Sequence, residues 1–184
     1  KFPNNYNVSV RSLLDRFEID EKQSAYFGTN AAKIFEVLKP LHNLDDKYKT
    51  LLVIASKLHT IGTTLNFYKS NDNAFDFILN GLNYDFLHTS RVIIAHTIKY
   101  SKKSLPTKKD LLEYNELLPK LEIMQWMSFM ISLNIAVNQD LSRPKVSYML
   151  SNNNLTIDLE NKSFMLDANI DKLELPKSLE LKLL

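Results

Sequence analysis

The chain has 184 residues, of which 45% are apolar, so its size and composition favour one compact domain with a substantial core over two independent ones. Its net charge is +2, it has no cysteine, and its three glycines cannot form a glycine-rich phosphate loop, which excludes a disulfide framework, a thiolate zinc site and a nucleotide-gripping loop of that kind. No run approaches the roughly 18 apolar residues of a membrane span and no leader opens the chain, so we expect a cytoplasmic protein with no membrane partner.

Apolar residues spaced three and four apart predict helices through the first two thirds of the chain. Three are predicted in turn: one capped by Ser9 and ending at Arg16, one opened by Asp20 and Glu21 and ended by Pro40, and one that follows Asp45. The third helix should place His59 near its C-terminal end.

The helical pattern continues to about residue 138. Helices are predicted from Asn73 to Leu79, from Thr89 or Ser90 to Tyr100, and, longest of all, from about Pro119 to Asn138. Between the last two, Thr107 and Asp110 resemble a capping box. The longest helix is apolar almost all round, so we expect it at the centre of the core.

After Pro144 the apolar period changes from that of a helix to that of a strand. Residues 146–150 and 155–159 alternate around a turn at 152–154, which predicts a hairpin. Further strands are predicted at Ser163–Leu166 and at 179–183. The fold class is therefore mainly α (α+β), a helical bundle followed by a small antiparallel C-terminal sheet. We expect residues 1–8 to be a linker from a missing upstream domain, 9–140 the helical domain and 145–184 a small β subdomain packed on it.

The charge is unevenly distributed along the chain. Residues 1–110 carry 16 Lys and Arg against 11 Asp and Glu, whereas residues 111–184 carry 7 against 10. The stretch from Phe86 to Lys109 contains no acidic residue, and such a concentration of cations can attract a polyanion. Lys99, Lys102 and Lys103 would share one helix face if the helix extends that far. The alternative is an ordinary solvated lysine surface.

Several short segments, taken in order, resemble one known family. They are Ser9–Leu13, Leu58–Gly62, Asn80–His88 and Ile94–Tyr100. In this order and spacing they resemble the C-terminal, His-Asp-like helical domain of the exopolyphosphatase/guanosine pentaphosphate phosphatase (Ppx/GppA) family. Where that family typically has His-and-basic runs, this chain has Lys69–Asn73 and Lys99–Lys102, which keep positive charge without histidine. The tentative anion-binding residues are therefore Lys69, Arg91, Lys99, Lys102 and Lys103.

The resemblance also identifies positions where a His-Asp phosphohydrolase would hold its divalent ion. The first histidine corresponds to Gln23, the His-Asp pair to His59 and Thr60, and the last aspartate falls within Leu133–Asn138, which contains no carboxylate. A divalent catalytic ion needs imidazole and carboxylate ligands together. We therefore interpret Gln23, His59 and Thr60 as a degenerate metal site, with no cofactor in this chain, and His59 as a helix-end residue hydrogen-bonded to a neighbour.

The other histidines and the serines do not supply a second catalytic site. His88 and His96 lie eight positions apart without a carboxylate three or four residues on, which makes them poor co-ligands. His88 is expected at the start of a helix and His42 in a solvated turn after Pro40. A serine nucleophile is not supported because no Gly-x-Ser-x-Gly elbow occurs.

The resemblance implies a division of labour within a longer protein. Catalysis, the Mg²⁺-dependent removal of terminal phosphate from polyphosphate or pppGpp, would belong to an upstream catalytic domain of the same protein. This chain would bind the polyanion and take part in a homodimer. Two alternatives remain open: an independent metal-dependent His-Asp phosphohydrolase, and a helical protein-interaction module presenting Trp126, Phe129 or Phe67 as its partner face.

Overall fold

A computed structural model describes residues 8–64, 67–82, 86–160 and 166–184. Its helices are α1 (Val8–Arg16), α2 (Glu21–His42), α3 (Asp46–Leu58), α4 (Ser70–Gly81), α5 (His88–Lys99), α6 (Leu121–Val137) and α7 (Leu166–Ile170), with 3-10 turns at His59–Thr64, Phe67–Lys69 and Lys109–Tyr114. Its strands are β1 (Val146–Ser151), β2 (Asn154–Leu159) and β3 (Glu180–Leu183). The predicted fold class, mainly helical with a small C-terminal sheet, is confirmed.

Two predicted helix starts are confirmed by their caps. The Asp20 carboxylate accepts a hydrogen bond from the backbone N–H of Gln23 at 2.6 Å, and that of Asp45 accepts one from Lys47 at 3.0 Å. Such a bond satisfies one of the donors that the first helical turn leaves open. Ser9, in contrast, lies inside α1 and is buried, so its predicted role as a cap is wrong.

Helix α2 continues through Pro40 to His42, and both the predicted end at Pro40 and the predicted solvated turn for His42 are wrong. His42 is 8% exposed; its Nε2 lies 3.0 Å from the carbonyl oxygen of Phe35, and its Nδ1 accepts a hydrogen bond from Leu44 N–H. These contacts support the last turn where the proline removes a backbone donor. Asn43 then ends the helix in the left-handed region, with φ 49°.

Helix α6 lies at the centre of the core, as predicted: most of its residues are buried, and it packs against α2, α3, α5 and α7. Trp126 is 4% exposed and Phe129 1% exposed. These two residues therefore belong to the core and cannot form a partner face. Two of the three residues named for the protein-interaction alternative are thus not available to a partner. The side chain of Phe67 lies outside the described residues.

The sheet has the order β1-β2-β3. The predicted hairpin is confirmed, with Val146 opposite Leu159 and Ser151 opposite Asn154, but β3 runs parallel to β2 rather than antiparallel. The predicted strand at Ser163–Leu166 falls mostly outside the described residues, and Leu166 begins α7 instead. The hydroxyl of Tyr148 on β1 bonds to Asn30 on α2, which joins the sheet to the helical part.

The predicted linker, residues 1–8, also falls outside the described part of the chain except for Val8, which begins α1. Of the helices that the structure describes, none combines the length and the apolar character needed to cross a bilayer.

Candidate functional site

Gln23, the position matched to the first metal-binding histidine, hydrogen-bonds to Asn138, the last residue of the stretch Leu133–Asn138 in which the final aspartate was expected. Gln23 lies in the first turn of α2, and Asn138 caps the C-terminal end of α6. The side-chain Nδ2 of Asn138 donates to Oε1 of Gln23 at 3.1 Å. Asn138 itself is fully buried. The two amides thus satisfy part of each other's hydrogen-bonding capacity across the contact between α2 and α6.

The same two amides hold the loop that leads from α6 to β1. Gln23 Nε2 donates to the carbonyl oxygen of Leu141 at 2.5 Å, and Asn138 Oδ1 accepts the backbone N–H of Arg143 at 2.7 Å. Leu141 and Arg143 both have positive φ, 58° and 56°, which is costly for residues other than glycine. We call residues 138–144 the α6–β1 loop, and conclude that Gln23 and Asn138 stabilise its strained backbone.

Sequence reasoning missed one residue of this arrangement. The hydroxyl of Tyr26, one turn after Gln23, donates to the carbonyl oxygen of Pro144 at 2.7 Å. Partial burial raises the pKa of Tyr26 to about 12, so the phenol keeps its proton for this bond. Gln23 and Tyr26 are three residues apart, so the sequence does place them on one face of α2. Nothing in the sequence indicated that this face meets the loop before β1.

His59 caps the C-terminal end of α3, and its imidazole is hydrogen-bonded to a neighbour, as interpreted from the sequence. Its Nδ1 lies 2.7 Å from the carbonyl oxygen of Ser56, and its ring meets that of Phe27 edge to face at 4.3 Å. Burial lowers the pKa of His59 to about 4, so the ring is neutral at pH 7. Its Nδ1 therefore carries the proton that it donates to Ser56.

Thr60 cannot supply the missing carboxylate. It follows His59 in the 3-10 turn, and its carbonyl oxygen accepts the hydroxyl of Thr63 at 2.6 Å. Within the described ranges, no three or more His, Cys, Asp or Glu side chains are placed to hold a metal ion together. An amide pair, one imidazole and a hydroxyl lack the anionic oxygens that a catalytic divalent ion prefers, so the donor set does not fit such an ion.

A buried amide pair lies deeper between the same two helices. Asn30 on α2 donates to Oδ1 of Asn134 on α6 at 2.9 Å, and Asn134 Nδ2 donates to the carbonyl oxygen of Phe27 at 2.8 Å. Asn134 also belongs to the stretch Leu133–Asn138. Every polar group named here has a partner, which indicates that this face of α6 holds helices together.

The remaining histidines have different partners. His96 is 2% exposed, its Nδ1 donates to Val92 O at 2.9 Å, and it packs edge-on against the rings of Phe75 and Tyr114. Burial lowers the pKa of His96. His88, exposed, is the first residue of α5, as expected. Neither position adds a ligand to the Gln23–Asn138 pair.

The predicted lysine face is only partly correct. Helix α5 ends at Lys99, so Lys102 and Lys103 lie in the following loop and do not share a helix face with it. Lys99 Nζ lies 4.4 Å from the centre of the Phe75 ring, a cation–π contact. Asn71 Nδ2 donates to Ser101 O at 3.4 Å, which places the neighbouring Lys69 segment beside the end of α5. We call Lys69, Lys99, Lys102 and Lys103 the basic end of α5.

The stretch from Phe86 to Lys109 contains no acidic residue, but acidic residues from other parts of the chain lie close to it in the folded structure. Glu174 reaches back to it: its backbone N–H donates to Lys103 O at 2.7 Å, and its carboxylate accepts Leu105 N–H at 2.8 Å. The pKa of Asp110 is lowered chiefly by hydrogen bonds from Thr107, and Lys102 contributes by its charge. Asp72 and Glu113 also lie near the end of α5, since both raise the pKa of Tyr100. Acidic groups from other segments thus border the basic end of α5.

Arg91 is separated from the basic end of α5. It lies eight residues before Lys99, which is about 12 Å along a helix. Its guanidinium donates to Leu79 O at 3.4 Å and contacts His88 Nδ1 at 3.2 Å. Arg91 therefore connects α4 and α5, and a ligand would have to be long to reach both it and Lys99.

The chain was also compared with known proteins. A family model described as Ppx/GppA phosphatase, domain III, matches residues 7–178. No curated protein matches the chain. The matched residues include the degenerate metal positions, the basic end of α5 and the first two strands.

Proposed function

The chain belongs to the Ppx/GppA phosphatase domain III family, and from this premise we propose that it is a noncatalytic domain that binds polyphosphate or pppGpp and supports dimerisation. Its role is to hold the polyanion for an upstream catalytic domain of the same protein, which supplies Mg²⁺ and the chemistry. Several weak contacts to a long chain raise its effective concentration at a separate active site.

The hydrogen bond between Gln23 and Asn138 is the observation that carries the noncatalytic part of this proposal. A metal ion at this place would have to break the 3.1 Å bond and would then meet neutral amide oxygens. The hydrogen bonds of His59 and Thr60 run to Ser56 and Thr63, and neither side chain is a carboxylate. Without an anionic ligand set, a divalent ion has little reason to bind or to activate water there.

The basic end of α5 supports the anion-binding part. Lys69 precedes α4, and Lys99 and Lys102 lie at the end of α5 and in the loop after it. The hydrogen bond from Asn71 to Ser101 brings these two lysine-bearing segments side by side. Lysines that neutralise successive phosphates release condensed counterions, which makes binding weaker as salt rises. Arg91 extends the cationic surface toward the start of α5 for a longer polymer.

The first test is for catalysis. We expect no release of phosphate from polyphosphate, pppGpp or a generic phosphoester above a buffer control, with Mg²⁺ or Mn²⁺ present, because the donor set cannot hold the ion. His59→Ala should change nothing in this assay. Turnover well above the control that is lost in His59→Ala would show that the chain is a metal-dependent phosphohydrolase after all.

The second test is for binding. The triple change Lys99→Ala, Lys102→Ala, Lys103→Ala should weaken binding to long polyphosphate and flatten the slope of log affinity against log salt, by about 0.7 to 0.9 for each phosphate that the variant no longer neutralises. The matched control is Lys33→Ala, Lys172→Ala, Lys182→Ala, three exposed lysines elsewhere. An equally weakened control, or no salt-sensitive binding by the unchanged chain, would contradict the proposal.

Dimerisation is tested separately, because it is independent of charge at the basic end of α5. Sedimentation equilibrium over a range of protein concentrations should give the mass of two chains, and the triple lysine variant should give the same mass. A monomer at every concentration would remove dimerisation from the proposal and leave anion binding to be judged by the salt experiment.

A further inference from the structure

Strand β1 is at the edge of the sheet, with β2 on one side and no strand of the described chain on the other. The antiparallel ladder continues one step before β1, where the backbone N–H of Glu160 donates to Lys145 O at 3.3 Å. Hydrogen-bonded and unbonded pairs alternate along such a ladder, so every second residue after Lys145 bonds to β2. The residues between them point their backbone N–H and C=O groups outward, and these residues are Val146, Tyr148 and Leu150.

These outward groups have no hydrogen-bond partner within the described ranges, and nothing along β1 protects them. Edge strands ordinarily carry charges, proline or a bulge, or are very short, which keeps other strands away. The opposite edge follows this rule, since β3 has four residues and includes Glu180 and Lys182. Strand β1 has six residues, and the chain has no charge from Val146 to Ile157.

The edge is also held in place by the helical part of the chain. The hydroxyl of Tyr148 bonds to Asn30 of α2, and Leu150 packs against the core. On the other face of the strand, Met149 is 59% exposed. A preformed edge binds another strand with little ordering cost, and its backbone groups supply the hydrogen bonds.

We propose that β1 pairs antiparallel with β1 of a second copy of this chain, about a two-fold axis at Met149. Tyr148 of one copy then lies opposite Leu150 of the other, and their outward groups exchange both hydrogen bonds. Met149 lies opposite its own copy as an unbonded pair, in which the side chains are closest. The two three-stranded sheets become one. This inference rests on the dimerisation in the proposed function and assigns it a surface.

Symmetry and charge select a second copy as the occupant. An antiparallel two-fold presents the same donors and acceptors from both sides, so the edge is complementary to itself. No like charges meet, because the strand is uncharged and the ammonium of Lys145 is bonded to Glu160 of its own chain at 2.6 Å. The same lack of charge gives the edge nothing with which to select an acidic or basic peptide. The pairing of Tyr148 with Leu150 joins an aromatic to an aliphatic side chain, which stabilises paired strands.

The pairing uses the open edge of both copies, and the other edge is the short, charged β3. The assembly therefore closes at two chains and does not extend into a fibre. Two strands bury less than the roughly 1,200 Å² of a standard interface. We expect a dissociation constant of about 10 to 100 µM, which sets the protein concentrations for the tests.

The first test is cross-linking, which is specific because the chain has no cysteine. Met149→Cys should give a disulfide-linked dimer under a mild oxidant, since Cα atoms about 4.5 Å apart can carry a disulfide. Leu112→Cys, at a position 63% exposed elsewhere, should not. Ser147→Cys should not either, because its two copies would lie about 13 Å apart along the strands. Equal cross-linking of the three variants, or none in Met149→Cys, would overturn the inference.

The second test is sedimentation equilibrium of charged variants. Met149→Lys places two ammonium groups opposite each other and should raise the dissociation constant of the dimer at least about tenfold, whereas Leu112→Lys should leave it unchanged. If the unchanged chain is a dimer and Met149→Lys has no effect, dimerisation stands and the surface assigned here is wrong. A monomer at every concentration removes both, while the catalytic and salt experiments still decide the rest of the proposed function.

Hydrogen exchange observed by NMR reports on the edge itself. The N–H groups of Tyr148 and Leu150 should exchange more slowly as protein concentration rises through the dissociation constant, whereas those of Ser147 and Met149, bonded to β2, should be protected at every concentration. Protection of Tyr148 and Leu150 that does not depend on concentration would show that another part of the same chain covers the edge, and would overturn the inference.

Discussion

At the scale of single residues, two neutral amides join helices α2 and α6. Gln23 and Asn138 hydrogen-bond to each other across the contact between these helices. The same side chains bind Leu141 and Arg143 of the α6–β1 loop. Their hydrogen bonds are therefore part of the fold.

The first prediction concerns Thr60→Asp. The single change adds one carboxylate beside His59, but Gln23 and Asn138 remain bonded to each other and provide no further anionic ligand. We expect at most weak Mn²⁺ binding, in the millimolar range, which corresponds to about −4 kcal/mol. Isothermal titration calorimetry measures this directly. Micromolar affinity in the single variant would mean that the remaining ligands are other residues than those assigned here.

At the scale of elements, the contact between α4 and the 3-10 turn at His59–Thr64 limits what residue 62 can be. A Cβ on Gly62 would collide with the carbonyl oxygen of Ser70 and come within 2.6 Å of the backbone nitrogen of Ala74. Both atoms belong to the backbone of α4 and cannot move without displacing that helix. Gly62 is therefore required for this close approach.

The second prediction compares two glycines. Gly62→Ala should destabilise the protein by about 3 kcal/mol or more, because overpacking against backbone cannot be relieved by a rotamer change. Gly28→Ala is the matched control: its Cβ would meet the flexible end of the Lys57 side chain, and alanine favours a helix interior by up to about 1 kcal/mol. Urea unfolding of both variants gives the comparison, and similar decreases in stability in the two would contradict the packing described at Gly62.

The elements also show where sequence patterns were sufficient. Asp20 and Asp45 identified helix starts, because a cap depends on residues within one turn. The end of α2 could not be predicted in this way. Its continuation through Pro40 depends on His42 reaching the carbonyl oxygen of Phe35, a contact that exists only once the helix has formed and His42 has packed against Trp126.

At the scale of the whole molecule, the features that could not be predicted from the sequence depend on contacts between segments far apart in the chain. The stretch from Phe86 to Lys109 has no acidic residue, yet Glu174 approaches it from 69 positions away. The parallel pairing of β3 likewise depends on how the chain returns to β2. For the candidate site, Gln23 and the stretch Leu133–Asn138 were identified from the sequence, but their mutual hydrogen bond required the crossing of α2 and α6.

The third prediction is a dependence of global stability on pH. Burial lowers the pKa of His42, His59 and His96, so these rings take up protons less readily in the folded protein than in the unfolded chain, whose histidines titrate near the ordinary value of 6.5. The three buried histidines therefore contribute their full stabilisation to the folded protein above pH 6.5, and this stabilisation is lost as the pH falls below that value. For His59, with a folded pKa of about 4, the free energy of unfolding should be about 2 kcal/mol lower at pH 5 than at pH 7.

Urea unfolding at pH 7, 6 and 5 measures this decrease, and stopping at pH 5 keeps the titration of carboxylates small. His59→Gln serves as the comparison. The free energy of unfolding of this variant should fall less steeply with pH than that of the unchanged chain, whatever its absolute stability is at pH 7. A slope as steep in the variant as in the unchanged chain would show that His59 does not titrate as described.

The amide pair has a consequence for which substitutions this part of the core tolerates. Asn138→Asp alone would remove the N–H that donates to Gln23 Oε1 and would place two oxygens against each other in a fully buried position. Turning the Gln23 amide to compensate would take its N–H from Leu141. Each of these single changes therefore leaves a buried polar group unpaired and lowers stability. The pair and the loop that it holds are coupled, so a change at one of these positions is tolerated only together with changes at the others.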